Sequence, residues 1–270
     1  MKQKIYDCFL FRNELELLEL RMEILGPYVD YFLLLESPYS FPGLKKELTF
    51  EKNKHKFDTS KIKHCICETL PYIGNVNEKR HRGKANEYFS RNYITKCLKS
   101  ADPEDIIILS DIDEIPNPEV FMDCLHILDN EDLLENKNCK YLGTQMHLFY
   151  YYMNYLTNKV WHGSVICKLK NFNKPSKMRR SRGVNVIKNC GWHYSYLGGI
   201  EKIQSKVKNL GSVQFNREMY TSAENLEKCL KNGKDLYGRS NMKCKIVDPE
   251  LYGPKMIDSF IKKYPQFVRN

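Results

Sequence analysis

No apolar run in the chain approaches the roughly 18 to 20 residues that cross a bilayer. The N-terminus enters Ile5-Tyr6-Asp7-Cys8-Phe9 directly, without the charged and apolar regions of a secretory leader. No Asn-X-Ser/Thr acceptor site is present, as expected of a chain that does not enter a glycosylating lumen. There is no internal repeat, no low-complexity segment and no known nucleic-acid-binding motif. These absences argue against membrane-spanning, solenoid and nucleic-acid-binding classes, and lead us to expect a soluble, cytoplasmic protein.

What is present suits a globular enzyme. Of 270 residues, 42% are hydrophobic and 28% charged, enough to bury a sizeable core, and one domain over residues 1–270 is expected. Ten cysteines do not require a disulfide scaffold at this length, and Cys8, Cys65, Cys67 and Cys167 lie in apolar, strand-like contexts. Free thiols are therefore expected. Cys65 and Cys67 would face opposite sides of a strand, which argues against a zinc pair. The net charge of +10 is scattered except between Lys168 and Arg182, where seven basic and no acidic side chains occur. That run is either a solvated loop or a mobile lid over an anionic substrate.

Along the chain, Ile5 to Phe11 predicts a strand, followed by a helix capped by Asn13 with Leu15, Leu18, Met22 and Leu25 in one stripe. Further strands are expected at Val29 to Glu36 and Ile62 to Cys67, and a helix between Gly83 and Leu98. The apolar Ile106 to Leu109 reads as a buried parallel strand, and Asn117-Pro118 as the start of a helix to Leu128. The second half is aromatic from Tyr141 to Tyr155, with strands expected at Val160 to Leu169 and Val184 to Tyr196. Helices are expected at Glu201 to Leu210, Ala223 to Asn232 and Lys255 to Tyr264. Strands alternating with helices predict an α/β fold with a mostly parallel central sheet flanked by helices.

Three carboxylates, Asp111, Asp113 and Glu114, follow the Ile106 to Leu109 strand, at the sheet edge where ligands of α/β folds collect. Asp111 and Asp113 project to the same side of an extended chain and could share Mn²⁺ or Mg²⁺. A strand followed by Asp-X-Asp occurs in haloacid-dehalogenase-like phosphatases, near their N-terminus, and in nucleotide-sugar-dependent glycosyltransferases of the GT-A type. About a hundred preceding residues of sheet favour the latter. A Mg²⁺-dependent phosphatase or nucleotidyltransferase, or a non-catalytic carbohydrate-binding protein, remain the alternatives. His193, within Cys190-Gly191-Trp192-His193-Tyr194-Ser195-Tyr196, is the candidate for a later metal ligand.

Several stretches together carry a resemblance. They are Tyr6-Asp7-Cys8-Phe9-Leu10-Phe11-Arg12-Asn13-Glu14-Leu15-Glu16-Leu17-Leu18-Glu19-Leu20-Arg21, Val29-Asp30-Tyr31-Phe32 to Glu36-Ser37, and Phe41-Pro42-Gly43. Arg91-Asn92, Leu109-Ser110-Asp111-Ile112-Asp113-Glu114-Ile115-Pro116 and Gly191-Trp192-His193-Tyr194-Ser195-Tyr196-Leu197-Gly198-Gly199 complete the set. In this order they resemble the glycosyltransferases of family 17, most clearly over residues 5–210. The resemblance implies a GT-A-like catalytic domain, with residues 1–116 binding the nucleotide sugar and 117–270 the acceptor. It implies transfer of a sugar, GlcNAc from UDP-GlcNAc, to a glycan with inversion, with Mn²⁺ (or Mg²⁺) held by Asp111, Asp113 and His193. Donor contacts are then expected from Phe11, Arg12, Asn13, Ser37, Arg91, Asp111 and Lys206, and acceptor contacts from Trp161, Trp192 and Tyr194. The catalytic base is expected to be Glu114 or Glu201.

Overall fold

The computed structural model describes residues 3–74, 80–239 and 241–269. Its strands are β1 (Ile5–Leu10), β2 (Tyr31–Glu36), β3 (Ile62–Ile66), β4 (Ile106–Asp111), β5 (Glu114–Ile115), β6 (Leu142–Tyr150), β7 (Tyr155–Lys168), β8 (Val186–Ile187), β9 (Trp192–Ser195) and β10 (Cys244–Ile246). Its helices are α1 (Leu15–Leu25), α2 (Thr49–Asn53), α3 (Arg80–Cys97), α4 (Pro118–Asp129), α5 (Pro175–Arg180), α6 (Gly199–Lys208), α7 (Glu218–Thr221), α8 (Ala223–Asn232), α9 (Pro249–Tyr252) and α10 (Ile257–Lys263). Among the described residues no helix is long and apolar enough to cross a membrane.

One sheet runs through both halves in the order β3-β2-β1-β4-β7-β6-β9-β5, with β10 beside β7 and β8 beside β6. The fold is mixed α/β. Strands β3, β2, β1 and β4 are parallel, but β7 enters antiparallel to β4, and β6 antiparallel to β7. The parallel run is therefore interrupted at β4 and resumes at β6, which pairs parallel with β8 and β9. The reason is local: β6 and β7 form a long hairpin joined at Tyr151–Asn154, and a hairpin returns the chain antiparallel without a crossover helix.

Alternation in β4 shows why its run is continuously apolar. Ile106 and Ile108 enter the core packed with α1, α4 and α10, while Ile107 and Leu109 enter the core packed with α3. Both faces are covered, so neither can be polar. A third cluster, with Tyr150, Tyr151, Tyr196, Ile203 and Leu226, packs α6 and α8 onto β6.

Local signals are met unevenly. Asn117 caps α4, its side chain accepting from the Glu119 amide at 3.1 Å, and α8 ends at Gly233, which adopts φ +61°. Asn13 does not cap α1. The Glu14 carboxylate instead accepts the backbone N–H groups of Arg12 (3.1 Å) and Asn13 (3.0 Å), because Glu14 folds back over the turn that leaves β1. The buried face of α1 is also wider than one stripe and includes Arg21. Cys65 on β3 and Cys97 on α3 are joined as a disulfide, contrary to the expectation of free thiols, because both pack against the cluster between α3 and the sheet; the other eight cysteines are free.

Candidate functional site

The acidic stretch and the Gly-Trp-His stretch, about eighty residues apart, are neighbours in one ladder. Strand β5 pairs antiparallel with β9, placing Glu114 opposite His193 and Ile115 opposite Trp192, and the Tyr194 amide donates to the Asp113 carbonyl at 2.9 Å. Gly191 makes this approach possible. It adopts φ +132°, and a Cβ there would overlap the Ile115 carbonyl oxygen.

A cleft of about 520 Å³ opens over this ladder at the carboxyl ends of β1 and β4. Arg12 and Glu14 line it after β1, Lys84, Glu87 and Arg91 from α3, Asp111 to Asp113 after β4, and His193 and Ser195 from β9. Lys206 and Leu210 come from α6 and the segment after it. The rest of the lining comes from Leu148, Tyr150, Lys159, Val160, Trp161, Tyr196, Tyr237, Arg239 and Met242, with Asn241.

The two aspartates are held differently. Asp111 accepts from Arg91 Nη1 (2.7 Å) on one oxygen and Arg179 Nη2 (2.9 Å) on the other. Partial burial alone would raise its pKa, but the two guanidiniums hold it well below the usual carboxylate range. Asp113 accepts from Lys206 Nζ at 2.5 Å, and His193 Nε2 lies 3.4 Å from the same oxygen. Burial again opposes ionisation, and Lys206 and His193 overcome it.

Beneath this turn lies a fully buried ion pair. Arg21 on α1 donates through Nε and Nη2 to Asp7 on β1, both at 2.6 Å. Its Nη2 also reaches Ser110 Oγ at 2.5 Å, and its Nη1 reaches the carbonyl of Glu114 at 2.7 Å and lies 3.3 Å from that of Asp111. One guanidinium thus fixes the backbone that carries both aspartates. No patterning marks this role, because position 21 looks like one more charge on an amphipathic helix.

The remaining candidates divide. Arg12, Arg91, Asp111, Asp113, Trp161, His193 and Lys206 line the cleft. Phe11 and Ser37 line a small recess that shares Leu10, Arg12 and Phe41 with it, and Asn13 borders a separate shallow pocket beside Glu14 and Lys206. Trp192 and Tyr194 do not face the cleft. They alternate with His193 and Ser195 along β9, so when His193 points into the cleft they point into the core. Trp192 Nε1 donates there to the Tyr252 carbonyl at 2.7 Å.

Glu114 is not placed as a base. It is fully buried, its Oε1 accepting from Trp161 Nε1 (2.6 Å) and Arg179 Nη2 (2.7 Å) and its Oε2 from the Asp111 amide (3.0 Å). Glu201 is exposed in the first turn of α6 and outside the cleft lining. The basic run from Lys168 to Arg182 is neither a solvated loop nor a detached lid. Its α5 helix packs on α3, Arg179 is buried between Asp111 and Glu114, and the Arg182 guanidinium lies 4.9 Å from the Trp161 ring. Its density of positive charge was the signal that could have singled out Arg179.

Among the described residues no three His, Cys, Asp or Glu side chains converge as a ready metal site. Asp111 stands apart, because both its oxygens face arginines. Asp113 and His193 do converge, and the Lys206 ammonium already sits as a cation on the shared oxygen. An aspartate and an imidazole are ligand types that a divalent cation accepts, and two of them leave most of its shell to oxygens from elsewhere.

A sequence model of glycosyltransferase family 17 matches residues 1–243, most of the chain. The rat protein named beta-1,4-mannosyl-glycoprotein 4-beta-N-acetylglucosaminyltransferase is 25% identical over 122 residues, a match that covers 42% of this chain and 22% of that protein.

Proposed function

Since the chain belongs to glycosyltransferase family 17, we propose that it transfers GlcNAc from UDP-GlcNAc to a glycan acceptor, with inversion, in a GT-A-type cleft. The observation that carries this reading is the β5–β9 ladder, which sets Asp113 and His193 side by side at the carboxyl end of the parallel strands. The name of the distant rat relative supports GlcNAc as the sugar.

In this reading Asp113 and His193 would hold Mn²⁺ (or Mg²⁺), whose chemistry would be to neutralise charge on the departing UDP. The chain's own cations act with it. Arg91 is buried and pre-aimed by Glu87 (3.3 Å) and Asp111 (2.7 Å), so it meets a diphosphate without first losing side-chain freedom. Arg12 and the Phe11 to Ser37 recess border the nucleoside. The aromatic wall receives the sugars: the Tyr196 and Tyr237 hydroxyls are 2.6 Å apart, and Tyr237 is steadied by Asp235, which accepts its amide at 3.0 Å. Their ring faces suit the apolar face of a pyranose.

Inversion in one displacement requires a carboxylate to take the acceptor hydroxyl's proton. Outside the aspartate pair, the lining carboxylates are Glu14 and Glu87. Burial works against ionisation of Glu14, but Arg12 and Lys206 together with its backbone bond hold its pKa down, which makes it a weak base. Glu87 is bonded to Lys84 at 2.7 Å and to Arg91 at 3.3 Å, on the side given to the diphosphate, so neither lining glutamate is assigned as the base. The test is incubation with Mn²⁺, a panel of UDP-sugars and mixed glycans, following UDP release and the anomer formed by NMR. UDP release from UDP-GlcNAc with a β-linked product is expected. Release of inorganic phosphate without glycoside, or no turnover and no binding of any sugar nucleotide, would overturn the reading.

A further inference from the structure

We propose that Lys206 is a tethered cation that holds the divalent-metal position at Asp113 until a donor arrives, so that metal and nucleotide sugar bind cooperatively. The inference rests on the nucleotide-sugar reading above.

The two aspartates differ in whether their partners can leave. Asp111 is closed by Arg91 and Arg179, both buried, and Arg179 is itself fixed by Glu114 Oε1 and the Gly163 carbonyl. Asp113 is closed by one lysine, whose side chain is 19% exposed and lines the open cleft. The backbone beneath Lys206 is fixed, because Ile203 and Val207 are fully buried against the aromatic cluster of β6. The side chain above it has four rotatable bonds and can swing while its Cα stays in place.

The ammonium occupies a built seat. Asp113 Oδ2 lies 2.5 Å from Nζ, His193 Nε2 lies 3.4 Å from that oxygen, and the Tyr196 ring centroid lies 5.2 Å from the ammonium. A divalent cation bound by Asp113 and His193 would share an oxygen with Nζ. Like charges at that separation repel strongly in a partly buried site, so the two cannot be seated together. The lysine needs an anionic partner when it leaves; Glu14 borders the same pocket, and a diphosphate in the cleft carries more charge than that single carboxylate. Donor binding thereby draws Lys206 off Asp113 and opens the seat, and metal binding frees Lys206 for the diphosphate. By linkage each ligand tightens the other by the same factor.

The test measures Mn²⁺ binding by EPR of the free ion, with and without saturating UDP, for the wild type, Lys206→Met and Lys206→Gln. The wild type is expected to bind Mn²⁺ at least about tenfold more tightly with UDP than without, within the usual range of such couplings. Both variants are expected to bind Mn²⁺ about tenfold more tightly than the wild type when UDP is absent, and to lose the coupling. Thermal melting of each variant establishes that it is folded. Variants whose UDP-free Mn²⁺ affinity equals or falls below that of the wild type would overturn the proposal. The UDP-free comparison stands alone, so a protein that binds no UDP with or without Mn²⁺ would strike the nucleotide-sugar reading and leave this result to be read separately.

Discussion

Where β1, α3, β4 and α6 line the cleft, ionised side chains meet in opposed pairs: Arg12 with Glu14, Lys84 with Glu87, Arg91 with Glu87 and Asp111, and Lys206 with Asp113. The rest of the lining is aromatic, with Tyr150, Trp161, Tyr196 and Tyr237, and Arg239 there is held by Asp235. The first wall is built on strands and helices with a buried Arg21–Asp7 pair beneath it. The second is built on the β6–β7 hairpin, β9 and the segment after Lys234. The charges come from β1, α3, β4 and α6 and the turns beside them, whereas the rings come from β6, β7 and the segments after β9 and Lys234.

That contrast can be broken by substitution. Asp113→Ala should reduce UDP release by about 10³-fold, since it removes charge stabilisation worth several kcal/mol, while the circular dichroism spectrum stays unchanged. Near-normal turnover would remove Asp113 from the site. Arg21→Met leaves Asp7 buried without a partner and should lower unfolding free energy by about 3–5 kcal/mol. The double variant Asp7→Leu with Arg21→Met should recover much of that stability but not turnover, because the Asp111 and Glu114 carbonyls then lose the guanidinium that holds them. Full turnover in the double variant would show that the aspartate turn does not depend on Arg21.

On the aromatic wall effects should be smaller and confined to the acceptor. Tyr237→Ala should raise the acceptor KM about tenfold, the loss of about one ring contact, and leave the KM for UDP-GlcNAc unaltered. An equal rise in both would mean that the two walls do not divide the substrates. The smallest effect concerns acid. Asp111 and Asp113 have folded-state pKa values below their unfolded values, so their stabilising contribution is complete above the unfolded value of about 4 and is lost as pH falls below it. Melting temperature should therefore decline below about pH 4, and less steeply in an Asp111→Asn variant.

Much of the parallel half was legible. The apolar run of β4, the acidic turn and the Asn117-Pro118 cap announce themselves through local rules, and α8 was expected with the bounds it has. The second half was less so, because β7 joins β4 antiparallel, a choice made by a hairpin whose register no periodicity encodes. Within the site, His193 was singled out from the motif, but its neighbours Trp192 and Tyr194 were assigned to the same side. The period of two along β9 forbids that once His193 faces the cleft. Arg21 was illegible for another reason, and Arg179 was marked only through the basic run that contains it. Each is a buried arginine, and burial of a charge becomes visible only when its partners, Asp7 in one case and Asp111 with Glu114 in the other, are brought from distant elements.

The most direct measurement is calorimetric titration of UDP-GlcNAc in the presence of Mn²⁺ into the wild type and into Asp113→Asn, a variant that keeps the shape of the side chain and removes its charge. Saturable binding to the wild type, at least about tenfold weaker in Asp113→Asn, is the predicted result. Equal affinity in the two proteins, or no heat with either, would contradict a nucleotide-sugar site centred on Asp113.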